Sequence, residues 1–184
     1  MLKYSSRQII FFDKIFEVLN MFNKGDYVVN SNNGICKIDG VVTMNTPNGN
    51  KEYYLLIPSN EPSAKIYIPL DSAAERIRCA MNRDDALQLI NSIKDINETY
   101  IENEKEREKV YKAAVSSCDP QKLVGIIKTL YLRRLEREKS GKRNTVVDER
   151  YFKLAENQLH SELSFALQIE KEQVVQMITQ SILE

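Results

Sequence analysis

At 184 residues the chain exceeds the usual size of one domain and has room for two small ones, each with a modest core. With 42% hydrophobic and 28% charged residues it lies far from the composition of a disordered chain. Its 26 lysines and arginines balance 26 aspartates and glutamates, which excludes a global basic field and leaves only a local patch to attract nucleic acid.

The first twenty residues contain "SSRQIIFFDKIFEVLN", compatible with an amphipathic helix. They precede a β module that reads as complete from Met21, so an upstream extension or a mis-assigned start is expected. The apolar run "IIFF" is cut off by Asp13 and Lys14. It is too short for a signal core or a membrane span, so neither export nor anchoring is expected. From Asp26 to Leu70 the pattern is that of strands. "DYVV", "GICKI", "GVVTM", "KEYYLLI" and "KIYIPL" are rich in Val, Ile and Tyr and alternate with turn chemistry at Asn32-Asn33-Gly34, Pro47 to Asn50 and Ser59 to Ala64. Asn48-Gly49 signals a hairpin, because both residues tolerate the positive φ of tight turns. About five short strands cannot form a stable flat sheet with two bare edges, which predicts a small curled barrel of the SH3 or Tudor kind.

After Cys79 the period changes. Asn82 to Asp85 can cap a helix through "ALQLINSIK", and the polar stretch from Glu102 to Tyr111 keeps a helical composition. Asp119-Pro120 starts a helix that places Leu123, Ile127, Leu130 and Tyr131 on one face and stops near Gly141. Thr145 to Asp148 starts another, with Phe152, Ala155, Leu159 and Leu163 at helical spacing, and "EKEQVVQMITQSIL" forms the last. The fold class is therefore α+β: a Tudor/SH3-like barrel over residues 21–80 and an all-α bundle over 81–184, behind a leader of residues 1–20.

Catalysis has little support. The single histidine, His160, lies on a helix beside Leu159 and Leu163, a packing position rather than that of a general base. Asn48-Gly49-Asn50 is followed by no Lys-Ser/Thr and opens a strand, so it is not a phosphate loop. The alternating charges of "ENEKEREK" suit a solvated helix face. Cys36, Cys79 and Cys118 are too widely spaced for a C-x-x-C site and read as reduced thiols of a cytoplasmic protein. No cofactor or metal is expected. Charge distribution says more. Residues 122–153 hold ten cations and four carboxylates, a local charge of +6. Arg133, Arg134 and Arg137 end one helix, Lys142 and Arg143 lie in the loop, and Arg150 and Lys153 fall one turn apart on the next helix. Such a corner suits phosphate contacts; cations at a helix C-terminus also complement its dipole, so charge by itself leaves both readings open.

The combination of "FNKGDYVV", "NGICKI", "KEYYLL" and "YIPL" with a helical half containing "DPQKLVGIIKTLYLRRLEREKSGKR" and "DERYFKLAENQLHSELSFAL" resembles the CarD family of bacterial transcription regulators, over residues 21 to 184. The resemblance implies a Tudor-like domain that docks on the RNA polymerase β subunit. It also implies a helical domain that contacts promoter DNA, largely without sequence preference, and stabilises the open complex as a cytoplasmic monomer. Where members of the family carry basic polymerase-facing residues, this chain has Met44 and Tyr67, so the expected docking surface at Thr43, Met44 and Tyr67 is more apolar. Members also carry a tryptophan wedge ahead of an Arg-rich helix. This chain has no tryptophan; Glu104 falls near the wedge position, with Tyr100 or Ile101 as apolar substitutes. The expected DNA-contacting residues are Arg107, Lys109, Lys112, Arg134, Arg143, Arg150 and Lys153. The alternative is a polymerase adaptor with no DNA contact.

Overall fold

The computed structural model describes residues 22–47, 49–99, 101 and 103–183. The leader and Tyr100 lie outside the described residues. The chain divides into two compact units, Met1–Cys79 and Ala80–Glu184.

The first unit is a five-stranded antiparallel sheet of β1 (Tyr27–Asn30), β2 (Gly34–Thr46), β3 (Gly49–Pro58), β4 (Ile66–Pro69) and β5 (Ile77–Cys79), in the order β4-β3-β2-β1-β5. Strand composition locates the apolar runs but divides them differently. "GICKI" and "GVVTM" form one strand with a register shift between Ile38 and Gly40, where Gly40 takes φ +156°. The fifth strand comes from Ile77–Cys79, which carries no strand signature of its own and is recruited by pairing with Val28 to Asn30.

The sheet is not closed: among the described residues β4 and β5 are its two edges and do not pair. It is nevertheless curled. A flat five-stranded sheet would hold its edges about 19 Å apart. The segment joining them, Leu70–Ser72 in 3-10 conformation and Ala73–Arg76 as one α-turn, spans only about 12 Å. Phe22, Val28, Cys36, Ile38, Tyr54, Leu56 and Ile68 line the concave side, and Leu70, Ala73 and Ile77 from that connecting segment and β5 fill it. The expected small curled Tudor-like unit is present as a plugged sheet, which stays open because β4 and β5 have only four and three residues.

The second unit is helical: α1 (Arg83–Ser92), α2 (Arg107–Ser116), α3 (Pro120–Lys139), α4 (Val146–Leu167) and α5 (Lys171–Leu183). Its starts follow the capping chemistry. Asn82 accepts from the amide of Asp85, Asp119 from those of Gln121 and Lys122, and Thr145 from that of Asp148. α3 ends where Gly141 takes φ +67°, a left-handed position that glycine fills without strain. The core joins Leu123, Ile126 and Leu130 of α3, Ala155, Leu159 and Leu163 of α4, Leu89 and Ile90 of α1 and Val174 of α5. Tyr131, assigned by periodicity to the inner face of α3, is 51% exposed: Val124 and Ile126 are buried instead, so the buried stripe is rotated away from it.

Candidate functional site

Register and pleat decide how the sheet presents Thr43, Met44 and Tyr67. Thr43 pairs with Glu52, Met44 with Lys51 and Leu55 with Tyr67. Successive side chains alternate between faces. Met44 and Tyr67 therefore share the outer face with Val42, Tyr53 and Leu55, while Thr43 points to the other side. The three do not lie on one edge. Tyr67, 41% exposed, sits on the edge strand β4. Thr43 and Met44 sit on β2, which beyond Ile38 has no partner strand on its β1 side among the described residues. They belong to a two-stranded arm reversed at Thr46 to Gly49, where the Thr46 hydroxyl donates to the Gly49 carbonyl at 2.7 Å. The outer face between arm and edge is apolar and half-exposed at Val42, Met44, Tyr53 and Leu55, with the exposed Lys51 beside Met44.

In the helical unit the α3–α4 turn presents cations. The amide of Lys142 donates to the Arg137 carbonyl at 2.8 Å, and Arg137 Nε donates to the Arg143 carbonyl at 2.9 Å. These bonds order the turn and leave the side chains of Lys139, Lys142 and Arg143 exposed. Arg134 is exposed and paired with Glu138 at 3.2 Å. It also pulls down the carboxyl of Glu156, which burial, the larger effect, pushes up. Lys109, on α2, pairs with Glu106 at 3.0 Å, and Lys112 and Lys153 are exposed. Arg150 pairs with Glu108 across the α2–α4 seam, and its guanidinium lies 4.7 Å from the Tyr151 ring centroid. Hydrogen bonding to Tyr151 and then to Glu108 raises its pKa further. Glu108–Arg150 and the Gln158 amide on Cys118 Sγ at 3.4 Å show that α2 and α4 run side by side in one direction.

Arg107 differs from the other expected contacts. It turns inward to Asp148, fully buried in the first turn of α4, with Nε 3.6 Å from Oδ1; Arg133 approaches the other oxygen at 3.8 Å. The Tyr111 hydroxyl donates to Asp148 Oδ1 at 3.2 Å, and burial, followed by the charge of Asp148, pushes its phenol up to about 12. This cluster ties α2, α3 and α4 together. Sequence reading missed it because Arg107, Arg133 and Asp148 are far apart in the chain, and Asp148 three residues after Thr145 reads as an ordinary capping charge. Ile101 is half-buried and packs on the helical core, so its side chain is already occupied. His160 is partly buried and its pKa lowered, first by burial and then by Lys171. Among the described residues no group of three or more His, Cys, Asp or Glu could hold a metal ion, and no helix is long and apolar enough to cross a membrane.

A curled sheet followed by a helical unit with a basic α3–α4 turn is matched over most of its length. Residues 22–80 match the CarD-like/TRCF RID domain and residues 88–179 the CarD C-terminal domain, which defines the class as an RNA polymerase-interacting transcription factor. The first of these domains mediates interaction with the RNA polymerase β subunit. The chain belongs to the CarD family, whose members are regulators rather than known enzymes. No curated protein matches it.

Proposed function

We propose that this chain docks on the RNA polymerase β subunit through its sheet unit, contacts promoter DNA through the α2, α3–α4 surface, and so modulates open-complex stability in the bacterial cytoplasm as a monomer. The observation that carries the DNA half is the ordered α3–α4 turn, with Lys142 and Arg143 exposed on it and Arg134, Arg150, Lys153, Lys109 and Lys112 exposed on α2, α3 and α4. Backbone phosphates need such charge and no base-edge chemistry. Arg107 serves this surface as a brace through Asp148 rather than as a contact. On the sheet, the apolar face from Met44 to Tyr67 meets the β subunit, since interface cores favour aromatic and Met side chains and disfavour charge. The outer ladders of β4 and the β2 arm offer main-chain groups for strand addition.

Three or four phosphate contacts imply weak duplex binding with a log–log salt slope of about −3. Reversing Arg143 and Arg150 to Glu together should flatten that slope and shorten open-complex lifetime in a reconstituted transcription assay while β-subunit binding persists. An unchanged lifetime would leave the adaptor without DNA contact. The balanced charge of the chain and the carboxylate partners of Arg134 and Arg150 favour that second reading.

A further inference from the structure

We propose that Glu108 is an internal phosphate mimic that holds Arg150 in its DNA-binding position and sets the affinity of the free protein for duplex DNA low. The inference rests on the DNA-contact reading above and names how that surface is tuned.

The geometry singles out this pair among the ion pairs of the exposed basic surface. Lys109–Glu106 and Arg134–Glu138 are formed within one segment, at i,i+3 and i,i+4 spacing, where such pairs arise from helix geometry. Glu108–Arg150 joins residues 42 apart, from the first turn of α2 to the first turn of α4. Both partners are half exposed, at 53% and 54%, so the pair stands at the surface and contributes little to holding the helices together. The Tyr111–Asp148 hydrogen bond and the tilted Tyr111–Tyr151 ring contact, with centroids 5.6 Å apart, already join α2 to α4 behind it.

Arg150 is positioned from two sides. The Tyr151 ring supports its guanidinium at 4.7 Å, and the Tyr151 hydroxyl lies 3.4 Å from the same Glu108 oxygen that Arg150 grips. One carboxylate oxygen therefore takes both the guanidinium and the hydroxyl, an arrangement a DNA phosphate oxygen could accept in its place. Lys112 on α2 and Lys153 on α4, both exposed, lie one turn along their helices from Glu108 and Arg150. The carboxylate keeps the guanidinium ordered and its charge compensated. A phosphate must displace Glu108 and accept its repulsion, so binding becomes effective only where polymerase raises the local DNA concentration.

The test titrates the full chain with a fluorescein-labelled duplex of arbitrary sequence across a salt series. Glu108→Gln keeps the shape and the hydrogen bonding while removing the charge. It should tighten binding about two- to five-fold. It should also steepen the log–log salt slope by about 0.9, because Arg150, freed of Glu108, neutralises one more phosphate and releases the cations condensed there. Glu61→Gln makes the same change in net charge on the sheet unit and should leave both unchanged. In an Arg150→Gln background the effect of Glu108→Gln should vanish. If wild type binds with a salt-dependent slope and Glu108→Gln matches it, or acts equally without Arg150, the mimic is refuted and the DNA surface stands. If neither protein binds duplex at any salt, the DNA reading itself falls and the mimic with it.

Discussion

Asp148 brings a carboxylate into the helical core with Arg107 and Arg133 within ion-pair distance and the Tyr111 hydroxyl upon it. Removing one member of a buried ionic cluster leaves the others uncompensated, which is the costly way to alter it. Asp148→Asn should therefore destabilise by about 2–4 kcal/mol, below the fully buried value because both arginines reach solvent; the denaturant midpoint measures it. Tyr111 gives the cluster a pH signature. A phenol is neutral when protonated, so one pushed up to about 12 on folding retains its proton after the unfolded chain, near 10, has released it. The stability from this source is complete below pH 10 and is lost as pH rises through 12. Tyr111→Phe should be less stable than wild type at neutral pH, by about 1 kcal/mol for the lost hydrogen bond. Its stability should fall less steeply between pH 10 and 12, so that the two unfolding curves converge.

α3 does more than supply cations at its end. At Gly125 it takes the backbone of the segment after α1 in close approach: a Cβ there would meet Thr99 Oγ1 at 3.0 Å and the Asn97 carbonyl at 3.1 Å. The Thr99 amide lies 2.8 Å from Thr129 Oγ1, and Lys128 Nζ donates to the carbonyls of Lys94 and Ile96 at 3.2 Å and 2.6 Å. A glycine inside a helix costs about 1 kcal/mol relative to alanine, and here it is retained for contact rather than for helix formation. Gly125→Ala should not yield that gain. Displacing Asn97 and Thr99 should produce a net loss of about 1 kcal/mol, with faster hydrogen exchange at the Thr99 amide as the direct readout.

At the scale of the whole molecule, the proposed polymerase and DNA contacts, carried by one chain, would reinforce each other through effective concentration. The two surfaces are separable by charge. Tyr67→Asp places a carboxylate on the exposed apolar face of the sheet unit without touching its core. It should weaken β-subunit binding about tenfold or more and abolish the effect on open-complex lifetime, while duplex binding by the free protein keeps its affinity and salt slope. A drop in duplex affinity equal to the drop in β-subunit binding would show that the two surfaces are not independent.

Short-range chemistry is written in the chain, and that much is legible without coordinates: Asn82, Asp119 and Thr145 cap the helices they precede, Gly141 ends α3, and the Val- and Tyr-rich runs become strands. Each depends on groups within a few residues of one another. Tertiary packing decided what depends on distant residues. Ile77–Cys79 became a strand only because β1 offered it a ladder, and two short edge strands left the sheet curled but open. Thr43 turned away from Met44 and Tyr67 because register and pleat, not proximity in the chain, assign faces. The +6 segment was visible as a sum, yet a sum cannot sort its members. Packing of α2 and α3 against the start of α4 turned Arg107 and Arg133 in to Asp148, left Arg143 outside, and placed Glu108 on Arg150, since burial and solvent exposure are properties of the assembled surface rather than of any one helix.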